Sequence, residues 1–257
     1  MNLSGWKYEG RIISDTLQHQ IMGIIKILND PEKVQNRTWG GSLQKFIGNE
    51  LGISDGQVRT IKRMMEEFDI LKPGALNKRT IPDKSNLYSE TGEVLIRLFE
   101  SEELLKQKPS KDSYEQLEKI KEIYKLFYLK ILVKYTIRDK DGNEFHPAVI
   151  LLKALKKYDY LTYWEWYLLN TIITSDNDPE AEREFDKYLT NIRNGTLKVS
   201  DLKIIENVLS HSYILGNFAY VELIQIEGKK ENMKITINEK NKQLINELLK
   251  EWGANDE

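Results

Sequence analysis

The chain has 257 residues, of which 40% are apolar and 30% are charged, which is enough for one large soluble domain or two of ordinary size. The absence of cysteine excludes disulfides and cysteine-based zinc sites, and a net charge of −2 argues against a protein that coats nucleic acid through bulk charge. The longest apolar runs are too short to span a membrane and the first residues show no signal-peptide pattern, so we expect a cytoplasmic protein without a membrane partner.

Three helices are predicted in the first part of the chain. Apolar residues recur at helical spacing over residues 15–29, and again over residues 43–51, where Gly52 ends the pattern. Ser54 is a predicted N-cap, and Gln57 three residues later completes a capping box. The helix that follows should bury Val58, Ile61, Met65 and Phe68.

The segment after Leu71 breaks the helical pattern. Pro73, Gly74 and Pro82 separate short apolar pieces, which predicts a β-hairpin or extended wing before helix resumes near Ser89. A polar stretch with Pro109 then favours a linker, so we place a domain boundary between residues 1–107 and residues 108–257. Residues 1–88 hold 13 Lys and Arg against 10 Asp and Glu, so they carry a small net positive charge and the remainder of the chain is acidic.

The second half repeats this organisation loosely. Helices are predicted over residues 113–135, after Pro147, after the capping box of Thr162 and Glu165, after Asp178-Pro179, and after Ser200. A hairpin is predicted with strands centred on Val221–Ile226 and Met233–Ile237 and a turn at Gly228, followed by a closing helix. The expected fold is mainly α with small β-hairpins (α+β), built as tandem winged-helix or helix-turn-helix modules.

Residues 43–68 fit a helix-turn-helix, with residues 54–68 as the recognition helix that enters the major groove of DNA. Glutamine and arginine form bidentate contacts with adenine and guanine, and lysine and arginine bind phosphates. The residues predicted to contact bases or the groove are Gln57, Arg59, Thr60 and Arg63. The residues predicted to contact phosphates are Lys62, Lys72, Lys78, Arg79 and Lys84.

Each of these segments also has an interpretation that does not involve DNA. Glu66 and Glu67 follow the basic residues at once, as on an ordinary solvated amphipathic helix, and the predicted wing also fits a polar loop. Trp39 fits either a core aromatic or a DNA contact. The aromatic run Tyr163–Tyr167 is better explained by packing than by base stacking.

The sequence does not predict a catalytic centre. Glu227-Gly228-Lys229 after an apolar strand is half of a metal-dependent nuclease pattern, but the second carboxylate is missing because Asp201 is expected at a helix start. No P-loop, dinucleotide fingerprint or zinc-protease motif occurs. We therefore expect no cofactor in this chain, with Mg²⁺ entering only through a nuclease domain or partner.

The segments "GQVRTIKRMMEEFDIL", "LYSETGEVL" and "HPAVILLKALKKYDYLTYWEWYLL" resemble the DNA-recognition part of type IIS restriction endonucleases of the AlwI and FokI kind. The closing "MKITINEKNKQLINELLKEW" is similar to their second module. The resemblance implies recognition of double-stranded DNA. Because the nuclease domain of those enzymes is expected beyond the end of this sequence, it implies a target-recognition domain or a specificity subunit that works with a separate nuclease.

Two other classes fit the same elements. A winged-helix transcriptional regulator would usually bind a palindrome as a dimer, whereas a type IIS unit reads an asymmetric site as a monomer. A protein-interaction adaptor would use the helices to bind a partner protein and would not bind DNA.

Overall fold

A computed structural model describes residues 1–8, 10–79, 81–139, 141–206 and 208–251. The chain divides into two compact units, which we name for their order in the sequence: the inner unit, Gly10–Phe127, and the outer unit, Met1–Glu9 with Tyr128–Glu257. The limits of these two units differ from the domain boundary expected at residue 107. The domain boundary itself stays a prediction.

The inner unit is helical in its described residues. Its helices are α1 (Asp15–Leu28), α2 (Pro31–Val34), α3 (Gln44–Leu51), α4 (Asp55–Glu67), α5 (Lys84–Leu87), α6 (Glu90–Gln107) and the first part of α7 (Lys111–Lys134). A π-helical turn, Trp39–Leu43, precedes α3. Ser14 caps α1 by accepting a hydrogen bond from the Leu17 amide, and the inward apolar face of α1 is buried. The helices predicted in this part of the chain are confirmed.

The hairpin predicted after Leu71 is wrong for the residues that the structure describes there. One β-bridge joins Leu71 to Tyr88, and turns and α5 lie between them. Pro73 and Pro82 have no amide hydrogen to donate to a ladder. Asp83 instead caps α5 by accepting from the Ser85 amide at 3.1 Å. We call residues 72–86 the basic loop.

The outer unit adds the rest of α7, five helices and seven short strands to the described structure. The strands are β1 (Asn2–Leu3), β2 (Ile137–Arg138), β3 (Glu144–Phe145), β4 (Leu161–Thr162), β5 (Lys203–Ile204), β6 (Ile224–Glu227) and β7 (Lys234–Ile237). The helices are α8 (Pro147–Tyr158), α9 (Tyr163–Ile172), α10 (Pro179–Arg193), α11 (Val208–Tyr220) and α12 (Lys242–Glu251).

These strands form three small sheets. Strands β1 and β5 pair in parallel, β2 and β3 pair antiparallel, and the third sheet has the order β4-β7-β6 with antiparallel neighbours. The predicted hairpin is confirmed as β6 and β7, with Ile226 opposite Ile235. Gly228 turns the chain at φ +72°, where an added Cβ would lie 2.2 Å from the Asn232 carbonyl oxygen. Only glycine fits this turn.

The helix predicted to start at Ser200 is wrong. Val199–Asp201 forms a 3₁₀ turn, and the chain then extends as β5 before α11 begins at Val208. The backbone of β5 pairs with residues 2–3, about two hundred positions away in the sequence. A local periodicity does not reveal such a distant partner, which explains the error.

The core of the outer unit contains side chains from both ends of the sequence. Trp6 is buried, donates from Nε1 to the Ile173 carbonyl oxygen at 2.7 Å, and packs against Phe145 and Trp166 with ring centroids 5.4 Å away. The expected mainly helical fold with a few small strands is confirmed. None of the helices in the described ranges is long and apolar enough to cross a lipid bilayer.

Candidate nucleic-acid interface

Helices α3 and α4 are joined by the short turn that the sequence predicts. Gly52 ends α3 at φ +65°, in the left-handed region that favours glycine, and the Ile53 amide donates to the Gly48 carbonyl oxygen at 2.9 Å. Ser54 caps α4, and its capping box with Gln57 is confirmed. The predicted start of the candidate recognition helix is therefore correct.

The inward face of α4 is fully engaged in the core. Val58, Ile61, Met65 and Phe68 are buried as predicted, and Met64 is buried with them. At Gly48 on α3, an added Cβ would lie 2.7 Å from the Ile53 carbonyl oxygen, so the turn packs closely against α3. This packing fixes α4 relative to α3 and leaves its opposite face to solvent.

Two of the predicted base-contacting residues are used by α4 itself. The Gln57 side-chain oxygen accepts from the Ser54 amide at 3.0 Å, and the Thr60 hydroxyl donates to the Gly56 carbonyl oxygen at 3.1 Å. A bidentate contact of Gln57 with adenine would use the same amide oxygen. Gln57 must therefore give up the capping box before it can make that contact.

Two further predicted residues are paired with acids one turn along α4. Lys62 Nζ lies 2.6 Å from Glu66 Oε1, and Arg63 Nε lies 2.8 Å from Glu67 Oε1. Both pairs place the cation before the acid, which is the weaker order on a helix. The Lys62 side chain is only 17% exposed, so it is less available to a ligand than Arg63, which is 50% exposed.

Arg59 differs from its neighbours on α4. Its side chain is exposed, and within the described residues it makes no ion pair or hydrogen bond. Its guanidinium lies over Gly56, 3.9 Å from the position that a Cβ would take there. Arg59 is thus an uncompensated cation near the N-terminal end of α4, where the helix dipole also favours an anion.

The basic loop carries the other predicted phosphate contacts. Its cations are all exposed, and the described part of the chain gives none of them an acidic partner; they are Lys72, Lys78, Arg79 and Lys84. The loop contains one acid, Asp83. Hydrogen bonds from Ser85 lower the pKa of the Asp83 carboxyl, so it stays ionised as the cap of α5.

Hydrogen bonds attach the start of the basic loop to α4. The Gly74 amide donates to Glu66 Oε1 at 3.1 Å, and the Lys72 amide donates to the Leu87 carbonyl oxygen at 2.9 Å. The Gly40 amide, in the π-helical turn, donates to the Lys78 carbonyl oxygen at 3.3 Å. The structure thus holds Gly74 beside the last turn of α4 and Lys78 beside the π-helical turn, while Lys84 is fixed separately in α5.

Three residues of this surface were not predicted from the sequence to be part of it. Glu66 reads in the sequence only as an interruption of the basic face, and no local pattern at Gly40 indicates its contact with the loop. Lys45 on α3 is exposed and has no ion pair in the described structure. Of these three residues, only Lys45 could have been predicted from the sequence, because a lysine in the supporting helix of a helix-turn-helix is suited to a phosphate contact.

Three of the other aromatic candidates belong to the cores of their units. Trp39 is 4% exposed, and Trp166 and Tyr167 are similarly buried, so the packing interpretation is supported for these three residues. Arg37 stacks on Phe46 at 4.4 Å and donates to the Lys33 carbonyl oxygen at 2.8 Å. These groups are occupied within the protein.

The half-pattern for a nuclease lies at the end of β6. Glu227 accepts a hydrogen bond from Gln225 at 3.3 Å, and Asp201 lies in the 3₁₀ turn before β5. Across the ranges that the structure describes, no group of three or more His, Asp or Glu residues is arranged to hold a metal ion.

Neither the models of known protein families nor the curated protein sequences gave a match to this chain.

Proposed function

We propose that the chain binds double-stranded DNA sequence-specifically through α3, α4 and the basic loop. The observation that carries this proposal is the concentration of unpaired cations around one solvent-facing helix. Arg59 on α4 and four cations of the basic loop lack acidic partners in the described structure, whereas the chain as a whole is slightly acidic. A local excess of unpaired cations on a near-neutral protein is typical of phosphate binding.

In this proposal the N-terminal half of α4 lies in the major groove. Arg59 donates hydrogen bonds to the O6 and N7 atoms of a guanine. Arg63 contacts the DNA after its ion pair with Glu67 breaks. The basic loop and Lys45 bind phosphates on either side of the groove and so fix the register. Gln57 and Thr60 contribute less to base contact, because their side chains already form hydrogen bonds within α4 and its cap.

The outer unit supports a winged-helix interpretation in its topology. Helix α8 precedes β4, α9 follows it, α11 precedes β6, and the sheet order β4-β7-β6 places the first strand beside the last. We infer that this unit is a winged-helix variant with α10 inserted. We infer that α3 and α4 of the inner unit act as a helix-turn-helix, with the basic loop in place of a wing.

The assignment to a restriction system rests on the sequence resemblance alone. We propose that the chain is the target-recognition domain or specificity subunit of a type IIS-like restriction endonuclease. Cleavage then requires a nuclease domain or subunit, with Mg²⁺, in addition to the recognition surface of α3, α4 and the basic loop.

Selection of bound duplexes from a random pool at near-physiological salt tests the proposal. An enriched asymmetric site supports a restriction-type recognition unit, and an enriched palindrome supports a dimeric regulator instead. Incubation of the selected duplexes with Mg²⁺ tests for cleavage by the chain itself. The absence of any enriched sequence, with binding that is insensitive to salt, would overturn the proposal and favour a protein-interaction adaptor.

A further inference from the structure

Glu66 is an acid within a surface that we propose binds a polyanion. A carboxylate near DNA phosphates weakens binding by charge repulsion, so a surface built for affinity alone would not contain one. Its position is therefore informative. The Glu66 side chain is 20% exposed, and Oε1 accepts from both Lys62 Nζ at 2.6 Å and the Gly74 amide at 3.1 Å.

These two bonds join different parts of the interface. Lys62 lies one turn earlier on α4, and Gly74 lies in the basic loop, where it takes φ +74°. A hydrogen bond from a backbone amide to an ionised carboxylate is among the stronger single hydrogen bonds in proteins. The Glu66 side chain in this way links the loop to the helix.

A second attachment holds the loop four residues further on. The Gly40 amide donates to the Lys78 carbonyl oxygen at 3.3 Å. A Cβ added at Gly40 would lie 2.8 Å from Lys78 Cβ and 3.0 Å from its Cα, so any larger residue would push the loop away. Between the two attachments, Leu76 is 4% exposed and anchors the loop in the core.

We propose that Glu66 is a positioning residue that couples the basic loop to α4, so that both engage one duplex as a single preorganised surface. This inference rests on the proposed function. A loop that is ordered before binding does not lose the conformational freedom of its side chains and backbone on association. Glu66 thus lowers the intrinsic attraction for phosphate and raises discrimination, because the phosphate contacts form only in the register that α4 dictates.

The test compares Glu66→Ala with Glu66→Gln. Alanine removes both hydrogen bonds, whereas the glutamine oxygen still accepts from the Gly74 amide and only the charge is lost. Glu67→Ala is the matched control, because Glu67 is the next residue on α4 and its carboxylate pairs with Arg63. Gly40→Ala perturbs the second attachment independently.

The first measurement is amide hydrogen exchange in the protein without DNA. Glu66→Ala is expected to speed exchange at Gly74 about tenfold, which corresponds to losing one hydrogen bond to a charged group. Glu66→Gln is expected to speed it less, because a neutral hydrogen bond remains, and Glu67→Ala is expected to leave it near the wild-type rate. Gly40→Ala is expected to speed exchange at residues 75–79. Unchanged exchange of the Gly74 amide in Glu66→Ala would overturn the coupling, whether or not the protein binds DNA.

The second measurement is affinity for selected and scrambled duplexes. Glu66→Gln is expected to bind both more tightly by a similar factor, because a negative charge is removed and the loop stays attached. Glu66→Ala is expected to gain on the scrambled duplex and to lose discrimination several-fold. Equal behaviour of the two variants would refute a positioning role, whereas failure of wild-type protein to bind any duplex would refute the proposed function and leave the exchange result to decide the coupling.

Discussion

Helices α4 and α11 lie in different units and expose different kinds of side chain. Each has 13 residues and lies directly before a segment that the sequence predicts as a hairpin. The outward face of α4 is exposed and carries arginine and lysine, whereas the buried side chains described on α11 include His211, Asn217 and Phe218. The outer unit has a three-stranded sheet but exposes no charged side chain on the described part of α11, whereas the inner unit exposes a charged helix without such a sheet.

The small sheet and the exposed, charged helix therefore lie in different units. A helix reads DNA only if its outward side chains are free to leave solvent for a base edge. Within the described part of α11, Ser212 is the exposed polar residue, and it carries no charge. We therefore expect the inner unit to dominate base recognition.

The largest expected effect is on the pH dependence of stability, and it arises from a buried histidine on α11. His211 is 1% exposed, its ring lies 4.1 Å from that of Tyr167, and burial lowers its pKa to about 4 from an ordinary 6.5. Above pH 6.5 the histidine is neutral in the folded and unfolded chains. As the pH falls below that value, only the unfolded chain takes up the proton, so stability decreases and the loss levels off at about 3 kcal/mol near the folded pKa.

Urea unfolding at intervals from pH 7 to pH 4 measures this loss. His211→Asn is expected to make the dependence shallower over that range, while His19→Asn, at an exposed histidine on α1, serves as the control. A wild-type slope that His211→Asn leaves intact would show that α11 is not buried as described.

The second prediction concerns Arg59 on α4. Arg59→Ala is expected to weaken binding to the selected duplex by about 1–3 kcal/mol and to relax the sequence preference, because a bidentate contact with guanine is lost. Ser212→Ala on α11 is expected to leave the affinity unchanged. Fluorescence anisotropy with selected and scrambled duplexes measures both. A larger loss from Ser212→Ala than from Arg59→Ala would reverse the comparison between the two helices.

The third prediction concerns the cap of α4. Ser54→Ala removes the acceptor for the Gln57 amide and is expected to destabilise the inner unit by about 1 kcal/mol. Asp178→Ala is the counterpart in the outer unit, where Asp178 accepts from the Glu180 and Ala181 amides. Amide exchange in each variant shows which unit is destabilised. If Ser54→Ala leaves exchange along α4 unaffected, the cap contributes nothing to the helix.

The weakest effect is expected from single cations in the two segments predicted as hairpins. Lys78→Ala is expected to lower DNA affinity a few-fold for all sequences and to reduce the slope of log affinity against log salt by about 0.9. Lys229→Ala at the turn between β6 and β7 is expected to change neither quantity. Titrations at a series of salt concentrations distinguish them, and an equal change in slope for Lys229→Ala would place the hairpin turn in the interface.

Local signals predicted the parts of this fold that depend on local interactions. Ser54 with Gln57, Gly52 and Asp178-Pro179 mark helix ends through contacts within four residues, and each prediction is confirmed. The two errors arise from long-range partners. Strand β5 exists because of residues 2–3, and the basic loop is held by Glu66 and Gly40 instead of by a second strand. The cations of the candidate interface could be identified from the sequence, but which of them form ion pairs with acids could not.

The discontinuous outer unit has a consequence for how the chain folds. Leu3 pairs with Ile204 although the whole inner unit lies between them in the sequence, so the two pieces of the outer unit must meet over a very long separation. The entropy of closing such a loop grows only slowly with its length, but contacts of this range slow folding. We expect the inner unit to become structured first during synthesis, and the parallel pairing of β1 with β5 to form late, after the ribosome has completed most of the chain.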